Sequence, residues 1–385
     1  TILGDCGAPG YILDERISQP FISFIHAAGD NHFGYGLPLY REHCKLALEE
    51  AGCELPDDFR DDIPSSHFSE VDVRPEELPR HLQIHAKLPK MHVPTQTKIE
   101  RSEYFDCGPD NELYPAVLHN IPEKDYYPWR KAWSKYGIIK PMLCLKTLID
   151  AAFQVDKIIL SNSVVNEPWD PRLFIIEEAT SGIPGIYKSL NKNSSFGKHP
   201  ILIHKGRGKR DMVDISGEFN TDFYQQVKDT VYSDIDRMEQ GYRPLRLYVD
   251  YLKDEVVKKD KARMFSCADT SYTIQCRMYY GDWTRWIQQN RITNSVLIGI
   301  NPFSHEWNIL RKELSKFGCN LLPSDFSNFD GTLAMLLMFV CLFYIIESYY
   351  RRSKDWRPNH AKVRYMLFQD VVNSYHITNV GKNAY

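Results

Sequence analysis

Composition gives this chain little with which to single out a partner. Of its 385 residues, 47 are Lys or Arg and 50 are Asp or Glu. A net charge of −3 predicts no partner, so local clusters matter more. The 9 cysteines include no C-x-x-C pair and no zinc-ligand spacing. That excludes a zinc ribbon and a disulfide scaffold, and it reads as reduced thiols in a cytosol-like compartment. No internal repeat is present, which excludes a solenoid. No signal-peptide pattern opens the sequence. The uncharged apolar run at 333–346 is shorter than the roughly 18–20 residues a membrane span requires. Glu347 and then Arg351-Arg352 close it, so a buried core helix is expected and no transmembrane segment.

What is there is ordinary globular composition, 43% hydrophobic and 25% charged, in a chain long enough for two or more domains. It begins at Thr1 and ends at Tyr385 directly after Val380-Gly381-Lys382-Asn383-Ala384, as expected of a piece of something longer. Residues 1–52 read as one unit. Its strand around Phe21-Ile22-Ser23-Phe24-Ile25 ends in His26-Ala27-Ala28-Gly29, and a helix follows from Tyr40 to Ala51. Residues 53–80 are acidic and Pro-rich and read as a linker with a possible cleavage site. Residues 81–385 form the larger unit, with antiparallel sheet expected in both units. Here the patterns predict helices at 136–154 (with Pro141 interrupting its start), 272–289, 304–317 with Ser304 as N-cap, and 333–350. Ile298-Gly299-Ile300-Asn301-Pro302 reads as a turn.

Three patterns carry chemistry. In the first, an apolar strand-like run, Gly318 to Leu322, delivers Asp325 and Asp330, spaced D-x4-D, ahead of the apolar helix. A carboxylate at the end of a strand suits Mg²⁺ or Mn²⁺, held with substrate phosphates rather than in an all-protein cage; the same spacing also occurs in solvated loops. In the second, residues 251–265 alternate cations with apolar residues, including Lys253, Lys261 and Arg263. Such a ribbon is either a charged edge strand or a clamp for a triphosphate, for which Arg offers planar bidentate bonds and Lys a point charge. In the third, Cys6 sits between Asp5 and Gly7. It is either a small buried residue or a nucleophile whose small neighbours admit a carbonyl.

Order makes these patterns specific. Gly4-Asp5-Cys6-Gly7, followed by the strand ending in His26-Ala27-Ala28-Gly29, resembles the carboxyl end of the chymotrypsin-fold cysteine proteases of picorna-like viruses. The resemblance implies an antiparallel β-barrel tail, with Cys6 as nucleophile and His26 lining the substrate pocket; the family's catalytic His and acid lie upstream of such a segment. From about residue 86 onward, Thr180-Ser181-Gly182, the Lys253–Arg263 ribbon, Gly299-Ile300-Asn301-Pro302 and Ser324–Asp330 together resemble the fingers and first palm motif of the RNA-dependent RNA polymerases of the same viruses. That implies a mixed α/β (α+β) right-hand polymerase, incomplete here, acting on RNA template, primer and NTPs. Asp325 would be the catalytic metal ligand and Asp330 would sense the ribose 2′-OH. Lys253, Lys261 and Arg263 would hold the triphosphate. Thr180, Ser181 and Gly182 would guide template RNA, although Gly182 directly after Ser181 departs from the family's spacing. The second palm motif, the Gly-Asp-Asp turn and the thumb are expected beyond Tyr385, so the fragment alone is expected to be inactive. Other viral replication proteins and membrane-associated complexes in the host cytoplasm complete the expectation. Asp370, in helical sequence, is not expected to be the partner carboxylate.

Two readings from other classes stand beside this one. A non-catalytic RNA-binding module would use the basic stretches with Tyr279, Tyr280, Trp283 and Trp286 as stacking platforms. A cysteine protease with a regulatory tail would need the missing upstream base.

Overall fold

The computed structural model describes three strands before residue 94. It also describes residues 94–379 apart from 101, 103–112, 138–142, 162–169, 201, 203–205, 207, 259–260, 317, 319 and 321. Two compact units divide the chain: 1–93 with 120–137 and 380–385, and 94–119 with 138–379.

In the first unit, β1 (Pro9–Ile12), β2 (Phe21–Gly29) and β3 (Gly34–Pro38) form an antiparallel sheet with β2 in the middle. The strand expected at 21–25 thus runs on through His26 to Gly29. The ladder is irregular between His26 and Ala28. Cys6, the helix expected at 40–51 and the linker at 53–80 lie outside the described residues, as does the His26 side chain. Helix α1 (Pro128–Ser134) starts on a proline at its first position, where no N–H is needed, and buries Trp129 and Trp133.

The second unit joins helices to two small sheets. Strand β4 (Leu113–Pro115) pairs with β6 (Val256–Lys258). Helix α2 (Leu145–Ser161) replaces the helix expected at 136–154; a proline at 141 cannot sit in a helix interior, so regular helix begins beyond it. Helix α3 is Ile176–Ser181, and α4 is Asp222–Glu239. Thr221 caps α4 by accepting a hydrogen bond from Tyr224 N at 3.1 Å. Strands β5 (Leu247–Leu252) and β7 (Met264–Cys267) pair antiparallel, and α5 (Thr270–Gln289) follows, capped by Asp269.

Further on come α6 (Glu306–Ser315) and α7 (Phe329–Thr332). A rod follows, made of α8 (Met335–Cys341), a π turn (Leu342–Ile346) and α9 (Glu347–Tyr350). Helix α10 (Pro358–Val372) leads into β8 (Tyr375–Ile377). Strand β8 pairs with β5 in parallel, beside the antiparallel β5–β7 pair, and β5 is therefore the central strand of its sheet.

The core follows from helical spacing. Val227, Val231, Ile235 and Met238 of α4 meet Ile274 and Met278 of α5 and Val363 and Leu367 of α10. Full burial contributes about 1.5–3 kcal/mol per large side chain. Gly281 is where α5 comes closest to its neighbour, since a Cβ there would lie 2.6 Å from the Phe174 ring. Glu347, which interrupts the apolar run, is buried and paired with Arg364: Arg364 Nη2 donates to Oε2 at 2.9 Å, and the guanidinium lies 4.0 Å over the Tyr350 ring. No described helix is long and apolar enough to cross a membrane.

Candidate functional site

Strand alternation puts Tyr248 and Asp250 on one face of β5, Arg246 directly precedes the strand, and all three are buried. A charge inside an apolar strand has to be paired. Arg246 Nη2 donates to Asp234 Oδ2 and to Gln275 Oε1, both at 2.6 Å. Asp269 Oδ2 lies 3.7 Å from Arg246, and Asp370 Oδ2 lies 3.9 Å from it. Arg243 adds a second cation, with its Nε 2.6 Å from Asp370 Oδ1. Burial lifts the Asp370 carboxyl above its ordinary range, against the pull of Arg243 and Arg246. Asp370 is thus committed to a structural ion cluster, consistent with its exclusion as a metal partner.

The ribbon grows out of this framework. Beyond the paired residues Leu252 and Met264, Lys253 N donates to Arg263 O at 2.9 Å. Lys253 Nζ is 2.8 Å from Glu255 Oε2, and Arg263 Nη1 is 3.5 Å from Glu255 Oε1. Glu255 is mostly buried (19% exposed), whereas the two cations are 49% and 50% exposed. One carboxylate therefore holds two half-exposed cations side by side, with donors left over for a stronger anion. Asp254 pins the other side: it accepts from Thr97 Oγ1 at 2.6 Å and from Lys98 N at 2.7 Å. The Lys98 amide, followed by the Thr97 hydroxyl, holds the Asp254 carboxyl below its usual range. Lys261 is exposed at the turn of the ribbon, its backbone N donating to Lys258 O at 3.2 Å.

The Thr180-Ser181-Gly182 segment is the end of α3 and the turn after it. Thr180 is fully buried; its hydroxyl donates to Ile176 O at 2.8 Å and lies 3.1 Å from the Tyr224 hydroxyl. The helix and Tyr224 thus occupy the Thr180 hydroxyl, which anchors the segment. Gly182 has φ +81°, and a Cβ would come 2.5 Å from Tyr187 O, so glycine is needed for the turn itself. Ser181 is the exposed member. Arg277 of α5 donates to the carbonyls of Ala179 and Lys188 and so fixes both ends of this loop. Beside it opens a cleft of about 560 Å³, lined in part by Ser181, Asn220, Gln225 and Lys228.

The carboxylate segment is built differently. Of the stretch 318–322 expected as a strand, residues 318, 320 and 322 carry none, and 319 and 321 lie outside the described residues. Asp325 is exposed, and its Oδ1 accepts from Phe326 N at 2.9 Å. Asn328 takes a left-handed conformation (φ 51°), which Asn tolerates, and turns the chain into α7. Asp330 follows in the first turn of α7, exposed, accepting from Gly331 N at 3.0 Å. Among the described residues no group of three or more His, Cys, Asp or Glu converges on one point. A closed metal cage is thus not offered, but an open Mg²⁺ position needs only one or two carboxylates beside substrate phosphates. Asp325 fits one such ligand.

The aromatic platform of the RNA-binding alternative is corrected by burial. Tyr279 and Trp286 lie in the core, Trp283 stacks on Trp286 at 5.6 Å, and Tyr280 donates its hydroxyl to Arg364 O. Tyr280 and Trp283 are half-buried, so the correction applies to Tyr279 and Trp286. Ser304, expected as the cap of α6, does accept from Glu306 N at 3.2 Å, although the N-cap position itself is His305.

A family model described as viral RNA-dependent RNA polymerase matches residues 130–377. The replicase polyprotein of Acute bee paralysis virus (strain Rothamsted) is 28% identical over 403 residues, covering 98% of this chain and 21% of that polyprotein. The replicase polyprotein of Drosophila C virus (strain EB) is 24% identical over 404 residues, covering 98% of this chain and 23% of its own length. The chain therefore spans only about a fifth of these curated relatives. Among solved structures, the Sicinivirus 3Dpol RNA dependent RNA polymerase is similar in fold, with a TM-score of 0.56 and 20% identity over 75% of this chain and 57% of that one.

Proposed function

The chain belongs to the viral RNA-dependent RNA polymerase family, and on that premise we propose that it supplies the fingers and the start of the palm of an enzyme that copies RNA from RNA. The reaction joins an NTP to an RNA 3′-OH and releases pyrophosphate. In such chemistry the protein contributes mainly position and electrostatics. Lys253, Arg263 and Lys261 receive the triphosphate, and the two ribbon cations exchange Glu255 for phosphate oxygens. Asp330 accepts a hydrogen bond from the ribose 2′-OH. Asp325 would hold Mg²⁺ or Mn²⁺, which when bound neutralises phosphate charge. Ser181 and the Gly182 turn border the template path. RNA template and primer, NTPs and other viral replication proteins are the partners, at membrane-associated complexes in the host cytoplasm.

The first unit we assign to the carboxyl end of a chymotrypsin-fold cysteine protease, with Cys6 as nucleophile and His26 in the pocket. The β1–β2–β3 antiparallel meander is compatible with that assignment, and residues 53–80 would carry the cleavage site between protease and polymerase. The fragment alone is not expected to polymerise.

The observation that carries the polymerase reading is the convergence of Lys253 and Arg263, from neighbouring strands, on one carboxylate. The test is NTP kinetics of Lys253→Ala and Arg263→Ala in the full-length polymerase. A lost charge-assisted hydrogen bond costs about 1.5–3 kcal/mol, roughly tenfold to a hundredfold in kcat/KM, with RNA affinity retained. Unchanged NTP kinetics in folded variants would return the ribbon to a charged edge strand.

A further inference from the structure

Behind the ribbon lies a second polar group for which the proposed chemistry has no use. Asp250, on β5, is 1% exposed. Its Oδ1 accepts from Ser266 Oγ of β7 at 2.7 Å and faces His376 Nδ1 of β8 at 2.8 Å. The other ring nitrogen, Nε2, is 2.7 Å from Ser374 Oγ. The imidazole also stacks on Tyr248, with centroids 5.5 Å apart. One buried carboxylate thus ties all three strands of the sheet together, and its Oδ2 has no hydrogen-bond partner. A buried carboxylate short of partners is costly, so the hydrogen bond from His376 is the one it can least spare.

Position gives this group its meaning. The rung Asp250–Ser266 is followed along the hairpin by Tyr251–Phe265 and Leu252–Met264 and then by Lys253 and Arg263 themselves. Strand β8 meets β5 through a parallel pairing that ends at Val249 and Ile377. Beyond that pairing, the side-chain bond from His376 to Asp250 joins β5 to β8 next to the clamp. We infer that His376 is a positioning residue for triphosphate binding, acting through Asp250 to hold the β5–β7 ribbon so that Lys253 and Arg263 stay side by side. This inference rests on the polymerase reading.

The test compares two variants in the full-length polymerase. His376→Asn keeps a donor near the Nδ1 position, toward Asp250; His376→Gln keeps one near Nε2, toward Ser374. We expect His376→Gln to raise the KM for NTP roughly tenfold, with kcat changed far less, as for one lost hydrogen bond to a charged group. His376→Asn should remain within about twofold of the parent, and RNA affinity should be unchanged in both. Amide hydrogen exchange over residues 249–253 and 264–267 should quicken in His376→Gln and not in His376→Asn. Equal behaviour of the two variants overturns the inference, as does a parallel fall in kcat and melting temperature without a KM effect. Ser374, His376 and Asp250 also stand in the order of a nucleophilic relay, so labelling of Ser374 by a fluorophosphonate would overturn it too. If the full-length parent makes no RNA, the polymerase reading fails, and the exchange comparison alone still decides whether His376 braces the ribbon.

Discussion

The ribbon at 253–263 and the segment at 325–330 lie in one unit and rest on different supports. Beneath the ribbon, Arg246, Asp250 and Glu255 follow one another along the chain, each engaged by opposite charges or hydrogen bonds, and the partners of Arg246 are buried. Around the carboxylates, Leu322 is 93% exposed, Phe326 76% and Phe329 54%, and Asp325 accepts from the amide of the next residue along. Phosphate-binding cations can therefore be set in place by the described framework. The carboxylates depend for their geometry on whatever covers those apolar side chains. A single proposed site is preorganised on one side and left to be completed on the other.

The largest effects should separate chemistry from stability along this line. Asp325→Asn in the full-length polymerase should abolish RNA synthesis and leave the melting temperature unmoved, because an exposed side chain with one local hydrogen bond contributes little to folding. Residual synthesis at more than a small fraction of the parent rate would remove Asp325 from the metal site. Arg246→Ala should do the reverse at the level of stability. It takes the buried cation from Asp234 and Asp269 and leaves Asp370 with Arg243 alone, and breaking a buried pair costs about 3–5 kcal/mol. Urea unfolding checks this directly, and a loss under about 1 kcal/mol would mean that the cluster is hydrated or rearranges.

The same contrast explains what could be read from the sequence. Helix α5 is legible almost to its ends, because its apolar period is intact and Asp269 marks its start. The rod from Met335 to Tyr350 is legible for the same reason, although nothing in its apolar run announces a π turn. Lys253 and Arg263 could be paired because alternation puts them on a common ribbon. The Arg246 cluster could not be assembled that way, since its aspartates come from α4, from the start of α5 and from α10, far apart in the chain. A signal was present all the same: Arg246 and Asp250 border and interrupt a strand, Leu247–Leu252, that is otherwise apolar or aromatic, and a charge there demands a partner. Likewise, the sequence around Thr180 reads as a loop, and only the packing of Tyr224 against it shows where its hydroxyl is held. Strand β8 was missed because three residues after a helix carry no periodicity to read.

A smaller effect probes the carboxylate side from within. Asp330→Asn should leave synthesis measurable and lower the preference for ribose over deoxyribose nucleotides by about tenfold. A site that hydrogen-bonds a hydroxyl discriminates through the partner left unpaired by the analogue. Competition between NTP and dNTP measures the ratio. Equal loss of both substrates, with the ratio fixed, would assign Asp330 to the metal or to folding instead.

The smallest effect expected in this chain is that of Phe326→Ser. Phe326 touches Phe329, with ring centroids 5.6 Å apart, and is otherwise open to solvent. Its removal from the chain alone should change unfolding free energy by no more than about 0.5 kcal/mol. The same substitution in the full-length polymerase should cost about 1.5–3 kcal/mol, the value of a buried large apolar side chain, if the rest of the enzyme closes over this face. Paired urea titrations of the two proteins give the difference without reference to activity. A neutral outcome in both would mean that nothing covers Phe326. The carboxylates would then have to be ordered by substrate and metal alone, and the contrast between a supported ribbon and an unsupported carboxylate segment would persist in the whole enzyme.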